Sequence, residues 1–459
     1  MASEESGTAA AGAHTPQQKR AALRLALTGL TAASIEWFDF FLYATAAALV
    51  FPSVFFSASL PPFVALLASF SSFAVGFVAR PIGGMLFGHI GDRKGRKVAL
   101  GSALVTMGVG TMLIGCLPSY RSAGVLAPLG LVALRFAQGL AVGGQWGGAI
   151  LLATESAPAA RRGLYGSIPQ AGVAVGVVLS NLAFFVVNGL TSPEAFMAYG
   201  WRILFLCSIA LVALAAFIHF RIEDTAAFRQ LQQAQPSGTR APAERSPLLQ
   251  ALRRYPRTIL LAAGAYISTN LTFYLLITYS VAYGTSAAGL HLPRATMLAA
   301  VLIGTLLATP ALFIGGSVSD RLGRRRIYML GLCMQSVWAF ALFPLIDTRS
   351  FIAITVAICV GQACNSVTYG PLAALFAELF ETRVRYCAVS LAYQLSSIIG
   401  GGLAPLIATA LYARYHQNMA LSIYIGLACA VSLLCTWALK ETRAPHRDEL
   451  ARASVVTVR

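Results

Sequence analysis

Charge is scarce in this chain. Of its 459 residues only 11% are charged, while 57% are hydrophobic. Soluble domains carry about 25% charged residues, so an ordinary water-soluble core of this length is excluded. Disorder is excluded too, because it requires low hydrophobicity and high net charge. No phosphate loop ending in Lys-Ser or Lys-Thr occurs, which excludes a nucleotide-driven pump. The eight cysteines, Cys116, Cys207, Cys333 and Cys429 among them, lie in apolar stretches without metal-ligand or redox-pair spacing. They are expected as reduced packing residues, with no metal site. The sequence shows no nucleophile–base pair, so neither an enzyme nor a cofactor is expected. Residues 1–18 are small and polar and the first apolar run is long and acid-bearing, so no cleavable signal peptide is expected.

Acids are scarcer than bases: 17 Asp and Glu against 34 Lys and Arg give a net charge of +17. In a soluble protein this would suggest nucleic acid. Here the bases fall in short loops between apolar runs, the pattern that fixes membrane orientation, and no nucleic-acid partner is expected.

What the chain has in abundance is apolar runs of about 20 residues, the length that spans a bilayer as a helix. Twelve are read, at 24–51, 63–87, 98–117, 125–154, 163–188, 201–220, 257–284, 295–317, 327–346, 351–379, 387–412 and 418–439. β-Barrel spans would be shorter and would alternate. The predicted fold class is therefore an all-α membrane protein. One set of loops and tails holds 27 of the 34 bases and the opposite set only five, which predicts that both termini are cytoplasmic. The polar stretch 221–256 reads as a cytoplasmic linker. It parts a tail at 1–22 and a six-helix half at 23–220 from a second half at 257–440 and a tail at 441–459.

The halves repeat each other. Residues 88–97 read GHIGDRKGRK and residues 316–325 read GSVSDRLGRR. A second echo sets Glu155 before Arg161 against Glu378 before Arg383. Two six-helix halves related in this way are the architecture of a rocking transporter with its site between them.

These paired loops, with Arg135-Phe-Ala-Gln138-Gly139 in the fourth run, resemble the major facilitator superfamily. Residues 35–56 (IEWFDFFLYATAAALVFPSVFF), 79–97, 143–172 and 378–386 are similar to its metabolite:proton symporter branch. The resemblance runs from about residue 20 to 443. It implies twelve transmembrane helices and proton-coupled transport of a compound such as shikimate, 2-oxoglutarate, citrate, or proline and glycine betaine. Gln145 stands where that branch usually has Glu.

Four charges lie within membrane runs: Glu36, Asp39, Arg80 and Arg135. Each costs about 2.5–3.5 kcal/mol at a helix centre, and they sum to zero, which points to ion pairs lining a wet cavity. Glu36 and Asp39 share a helix face, with Tyr43 a turn on. Two acids so close do not both ionise easily in a poorly hydrated site, which suits a proton carrier. Asp39 is the first candidate, paired with Arg135 or nearby. Arg135, with Gln138, offers a fork either for a substrate carboxylate or for an acid of the first helix. Arg80 could instead snorkel to the loop.

The uncharged candidates for the substrate site are Gln170 and Asn181 in the fifth run, Asn270 and Tyr274 in the seventh, Gln362 and Asn365 in the tenth, and Tyr393 and Gln394 in the eleventh. About half of such polar residues should line the cavity, the rest making interhelical hydrogen bonds. Gly88, Asp92, Arg93, Gly95 and Arg96, and in the repeat Asp320, Arg321 and Arg324, read as a cytoplasmic gate. Glu155 with Arg161, and Glu378 with Arg383, read as clasps beside it.

The expected function is uptake of a small organic acid with protons across the inner membrane, by a monomer whose partners are substrate, protons and lipid. A zwitterion symporter is the alternative, with Trp37, Phe38, Tyr43 and Tyr274 as a cation cage. Efflux by proton antiport and a non-transporting membrane sensor are further alternatives.

Overall fold

The computed structural model describes residues 16–94, 96–143, 150–151, 153–154, 157–221, 247–286, 289–381 and 384–442. Twelve long helices run through these residues, and no strand occurs among them. They are α1 (Pro16–Leu49), α2 (Pro62–Lys94), α3 (Arg96–Cys116), α4 (Leu126–Val142), α5 (Arg162–Leu190) and α6 (Trp201–Arg221). The second six are α7 (Pro256–Thr285), α8 (Arg294–Leu322), α9 (Arg324–Asp347), α10 (Phe351–Leu379), α11 (Cys387–Tyr415) and α12 (Met419–Ala438). Eight of the twelve are long and apolar enough to cross a membrane on length and composition alone. Helices are the open-chain solution there, because every backbone group must be satisfied within its own segment.

In the first half α1 packs on α5, α2 on α4, and α3 on α6; in the second, α8 packs on α10 and α9 on α12. Small residues make this packing close. A Cβ on Gly83 would fall 1.9 Å from the Leu140 carbonyl oxygen, and one on Gly143 would fall 1.9 Å from that of Arg80. The α2–α4 contact therefore requires hydrogen at both positions. Leu190, Val337, Ile352 and Trp437 stand exposed on the outer surface, where lipid tails would cover them.

The halves meet along α5, which packs on α8 and α10, and along α2, which packs on α11. Two helices at this seam carry a π turn, Leu275–Tyr279 in α7 and Ile398–Gly402 in α11. The second lets Gly401 and Gly402 approach the ring of Phe77.

Candidate functional site

Four helices of the first half converge on a buried charge cluster. Asp39 comes from α1, Arg80 from α2, Thr111 from α3, and Arg135 and Gln138 from α4. All five are at most 3% exposed. The expected direct pair of Asp39 with Arg135 is not formed. No ion pair within 4.0 Å joins Glu36, Asp39, Arg80 and Arg135. A hydrogen-bonded chain connects Asp39 and Arg135 instead. Arg135 Nη1 donates to Gln138 Oε1 at 3.3 Å, Gln138 Nε2 to Thr111 Oγ1 at 2.5 Å, and Thr111 Oγ1 to Asp39 Oδ2 at 2.5 Å.

The guanidiniums rest on ring faces rather than on carboxylates. Arg135 lies 4.1 Å from the ring centre of Tyr43, 4.7 Å from Phe40 and 5.1 Å from Phe73. Arg80 lies 4.3 Å from Phe77 and 4.7 Å from the same Phe40. Each such contact contributes about 0.5–2 kcal/mol. That is less than the several kcal/mol lost when an ion leaves water. The remaining deficit is visible atom by atom: Arg135 Nε and Nη2, Arg80 Nη2 and Asp39 Oδ1 are buried without a hydrogen-bond partner. The free Nε–Nη2 edge of Arg135 is one of the two-donor edges that a carboxylate takes in bidentate fashion.

Beside this cluster, across Tyr274, lies a cavity between the halves. Tyr274 packs on Phe40, Phe73 and Phe77 on one side and lines the cavity on the other. Trp37 and Gln170 face it from the first half; Tyr266, Asn270, Gln362, Asn365 and Tyr393 face it from the second. Tyr266 stacks on Tyr393 at 4.9 Å and on Tyr369 at 6.2 Å. Several amides are already committed: Asn270 donates to Ser397, Asn365 accepts from Gln335, and Gln362 donates to Thr305. The free space is about 40 Å³, enough for about three waters at 10–15 Å³ each. A metabolite fits only when the halves separate.

Both ends of the seam are tied. At the end bearing the Asp-Arg loops, Asp320 of α8 accepts from the backbone N–H of Gly163 at 2.9 Å and of Leu164 at 3.0 Å. It thus caps the start of α5 across the halves, where the helix presents unpaired N–H groups. Arg324 Nη1 holds the same carboxylate at 2.5 Å, and its Nε lies 3.5 Å from Glu378. Glu378 accepts from Thr442, and Glu441 accepts from the backbone N–H of Arg324 and Arg325. At the opposite end Arg294 of α8 reaches Met197 Sδ at 3.5 Å and lies 5.5 Å from the Phe196 ring. Between the two ends, Phe41 packs on Phe273 at the wall of the cavity.

The model of the Major Facilitator Superfamily matches residues 30–401 and again 313–458. The chain belongs to the major facilitator superfamily. It is 37% identical to the inner membrane metabolite transport protein YhjE of Escherichia coli, over 92% of this chain and 94% of that one. It is also 37% identical to the shikimate transporter of the same organism, over 92% and 95%. With the E. coli proline/betaine transporter it shares 31%, over 90% of this chain and 83% of that one. Among solved structures, a D-xylose-proton symporter has the same fold, with a TM-score of 0.69 at 18% identity over 92% of this chain and 98% of that one. The chain is thus a superfamily transporter of metabolites, with the twelve-helix fold and no enzyme chemistry.

The fold brings most of the sequence candidates to this seam. Gln170, Asn270, Tyr274, Gln362, Asn365 and Tyr393 line the cavity. Tyr43 underlies Arg135. Asn181 does not line it; its amide bonds the Val177 carbonyl of its own helix. Gln394 is turned to the Gly143 carbonyl of the other half at 3.2 Å. Glu378, expected beside Arg383, pairs with Arg324 at 3.5 Å. Arg161 and Arg321 are exposed. Gly95, Glu155, Arg383 and Gln145 lie outside the described residues, as do the side chains at Gly88, His89, Asp92, Arg93 and Arg96. Thr111, Phe40 and Glu441 were not singled out from sequence. A lone Thr or Phe in an apolar run carries no signal, and Glu441 sits in a polar tail.

Proposed function

We propose that this transporter takes up a small organic acid together with a proton across the inner membrane, working as a monomer with its Asp-Arg loops and both termini in the cytoplasm. One observation carries the reading. Arg135 is buried with its Nε–Nη2 edge unpartnered and no carboxylate within 4.0 Å. A buried guanidinium in that state is costly, and an incoming carboxylate would offset the cost.

The cycle follows from the charges. With the outer end open, Asp39 is ionised and the Gln138–Thr111 chain holds Arg135. A proton neutralises Asp39 and the substrate carboxylate docks on Arg135, with Arg80 contributing positive potential. Its body enters the cavity among Trp37, Tyr266, Tyr274 and Tyr393, whose ring faces suit a flat or cyclic skeleton. Gln170, whose Oε1 is buried without a hydrogen-bond partner, accepts from the substrate's hydroxyl groups. With the charges balanced, the halves rock, the Asp320 tie to α5 breaks, and the inner end opens. One proton with a monoanion moves no net charge, so the pH gradient alone drives it. A second proton would add about 2.3 kcal/mol per 100 mV of membrane potential.

The test is uptake into liposomes of purified protein under an imposed inward proton gradient. The panel is shikimate, 2-oxoglutarate, citrate, an aromatic acid and glycine betaine. Gradient-dependent accumulation of an acid, lost in Arg135→Lys, supports the reading. Accumulation of betaine alone would move recognition to Trp37 and the tyrosines. Proton-driven exit without uptake would make the protein an exporter.

A further inference from the structure

The cluster holds two groups the proposed cycle needs to communicate, Asp39 and Arg135, yet keeps them out of direct contact. Donor and acceptor chemistry fixes the direction of the bridge. Arg135 can only donate, so the oxygen of the Gln138 amide must face it. The Gln138 NH2 then faces Thr111, whose oxygen must accept, which leaves the Thr111 hydroxyl proton for Asp39. Every bond in Arg135–Gln138–Thr111–Asp39 therefore runs the same way, and such chains polarise one another.

Thr111 also has a second acceptor. Its Oγ1 lies 3.1 Å from the Met107 carbonyl of its own helix. The hydroxyl can thus donate to Asp39 or to Met107, and the two choices match the two states of the acid. When Asp39 is ionised, Thr111 donates to it. The Gln138 carbonyl, at the far end of the polarised chain, then holds Arg135 Nη1. When Asp39 takes a proton on Oδ2, its new O–H donates to Thr111 Oγ1, and the Thr111 proton turns to Met107. The chain loses its charged acceptor, and the hold on Arg135 weakens. No covalent bond other than the O–H on Asp39 forms or breaks.

We infer that Thr111 and Gln138 are positioning residues that transmit the proton on Asp39 to Arg135, so that Arg135 is freed for a substrate carboxylate when Asp39 is protonated. This rests on the reading of Asp39 as proton carrier and Arg135 as carboxylate receptor. The charged group acting on Asp39 is Arg135 from α4, and two neutral hydroxyls reach its carboxylate: Thr111 from α3 and Ser208 from α6, which also donates to the Phe205 carbonyl. Of the two, Thr111 is the one bonded to Gln138 and so to Arg135.

The experiment measures KM for the transported acid between pH 6 and 8 in proteoliposomes of wild type, Thr111→Val, Thr111→Ser and Asp39→Asn. Binding linked to one proton changes affinity by up to tenfold per pH unit. The wild type is expected to weaken as pH rises. Thr111→Val, which keeps the shape and removes the hydroxyl, is expected to flatten the profile at least threefold, and Thr111→Ser to restore it. A purely structural role would lower the rate equally at every pH and leave the profile unmoved. If Thr111→Val expresses poorly, Thr111→Ala supplies the same comparison. A wild-type profile in both hydroxyl-free variants, with a flat one in Asp39→Asn, overturns the relay and leaves the proton reading standing. A wild-type profile in Asp39→Asn overturns both.

Discussion

Replacing Gly163 with Ala tests the gate between the halves. A Cβ there would stand 2.4 Å from the Gly316 carbonyl oxygen, 2.5 Å from Arg324 Nη1 and 2.7 Å from Ser319 Oγ. Two of those atoms belong to side chains, but the nearest is backbone of α8, so the helix ends must part by several tenths of an ångström. Overpacking of this kind costs about 1–3 kcal/mol. The shift also strains the two bonds from Gly163 and Leu164 to Asp320, each worth about 1.5–3 kcal/mol as a bond to a charged group. The cost falls on states closed at this end and not on the open one. Because about 1.4 kcal/mol is tenfold in population, the open state should gain at least tenfold. The assay is a distance measurement between spin labels at Arg161→Cys and Arg321→Cys, exposed positions on the two sides of the tie, in a background freed of native cysteines. The variant should shift the distribution to longer distances and slow net uptake at least tenfold. An unchanged distribution with normal uptake would refute a gate built on this contact.

Three further outcomes are expected. Gly76→Ala brings a Cβ 2.7 Å from Arg135 Nε, so it should displace that guanidinium and raise KM for the acid at least fivefold, read from initial uptake rates, while thermal stability in detergent falls only slightly. Phe40→Leu removes a ring shared by Arg80 and Arg135; about 1–2 kcal/mol of cation–π support is lost, lowering thermal stability without substrate, with saturating acid restoring part of it. Glu441→Gln removes the charge capping the start of α9 beside Arg324, a loss of about 0.5–2 kcal/mol; the label pair at positions 161 and 321 should show a modest shift toward open.

The sequence showed the twelve helices and the converging charges because both are written in composition. Apolar runs announce spans, and Arg135 in an apolar run announces a site. Two things were illegible for physical reasons. The link between Asp39 and Arg135 passes through Thr111, which a sequence cannot distinguish from any other small residue in a helix. The partner of Asp320 is the backbone of another half, at Gly163 and Leu164, and backbone donors have no letter in the alphabet. The repeat placed Asp320 in a gate; only the fold shows what it holds.

The central claim, one acid carried with a proton through Asp39 and Arg135, is tested most directly by recording external pH. Liposomes of purified protein are given the acid in lightly buffered medium, with the membrane potential clamped. The medium should turn alkaline as the acid enters, and neither Asp39→Asn nor Arg135→Lys should produce that signal. Acid entry without alkalinisation, or the same alkalinisation in Asp39→Asn, would contradict the account.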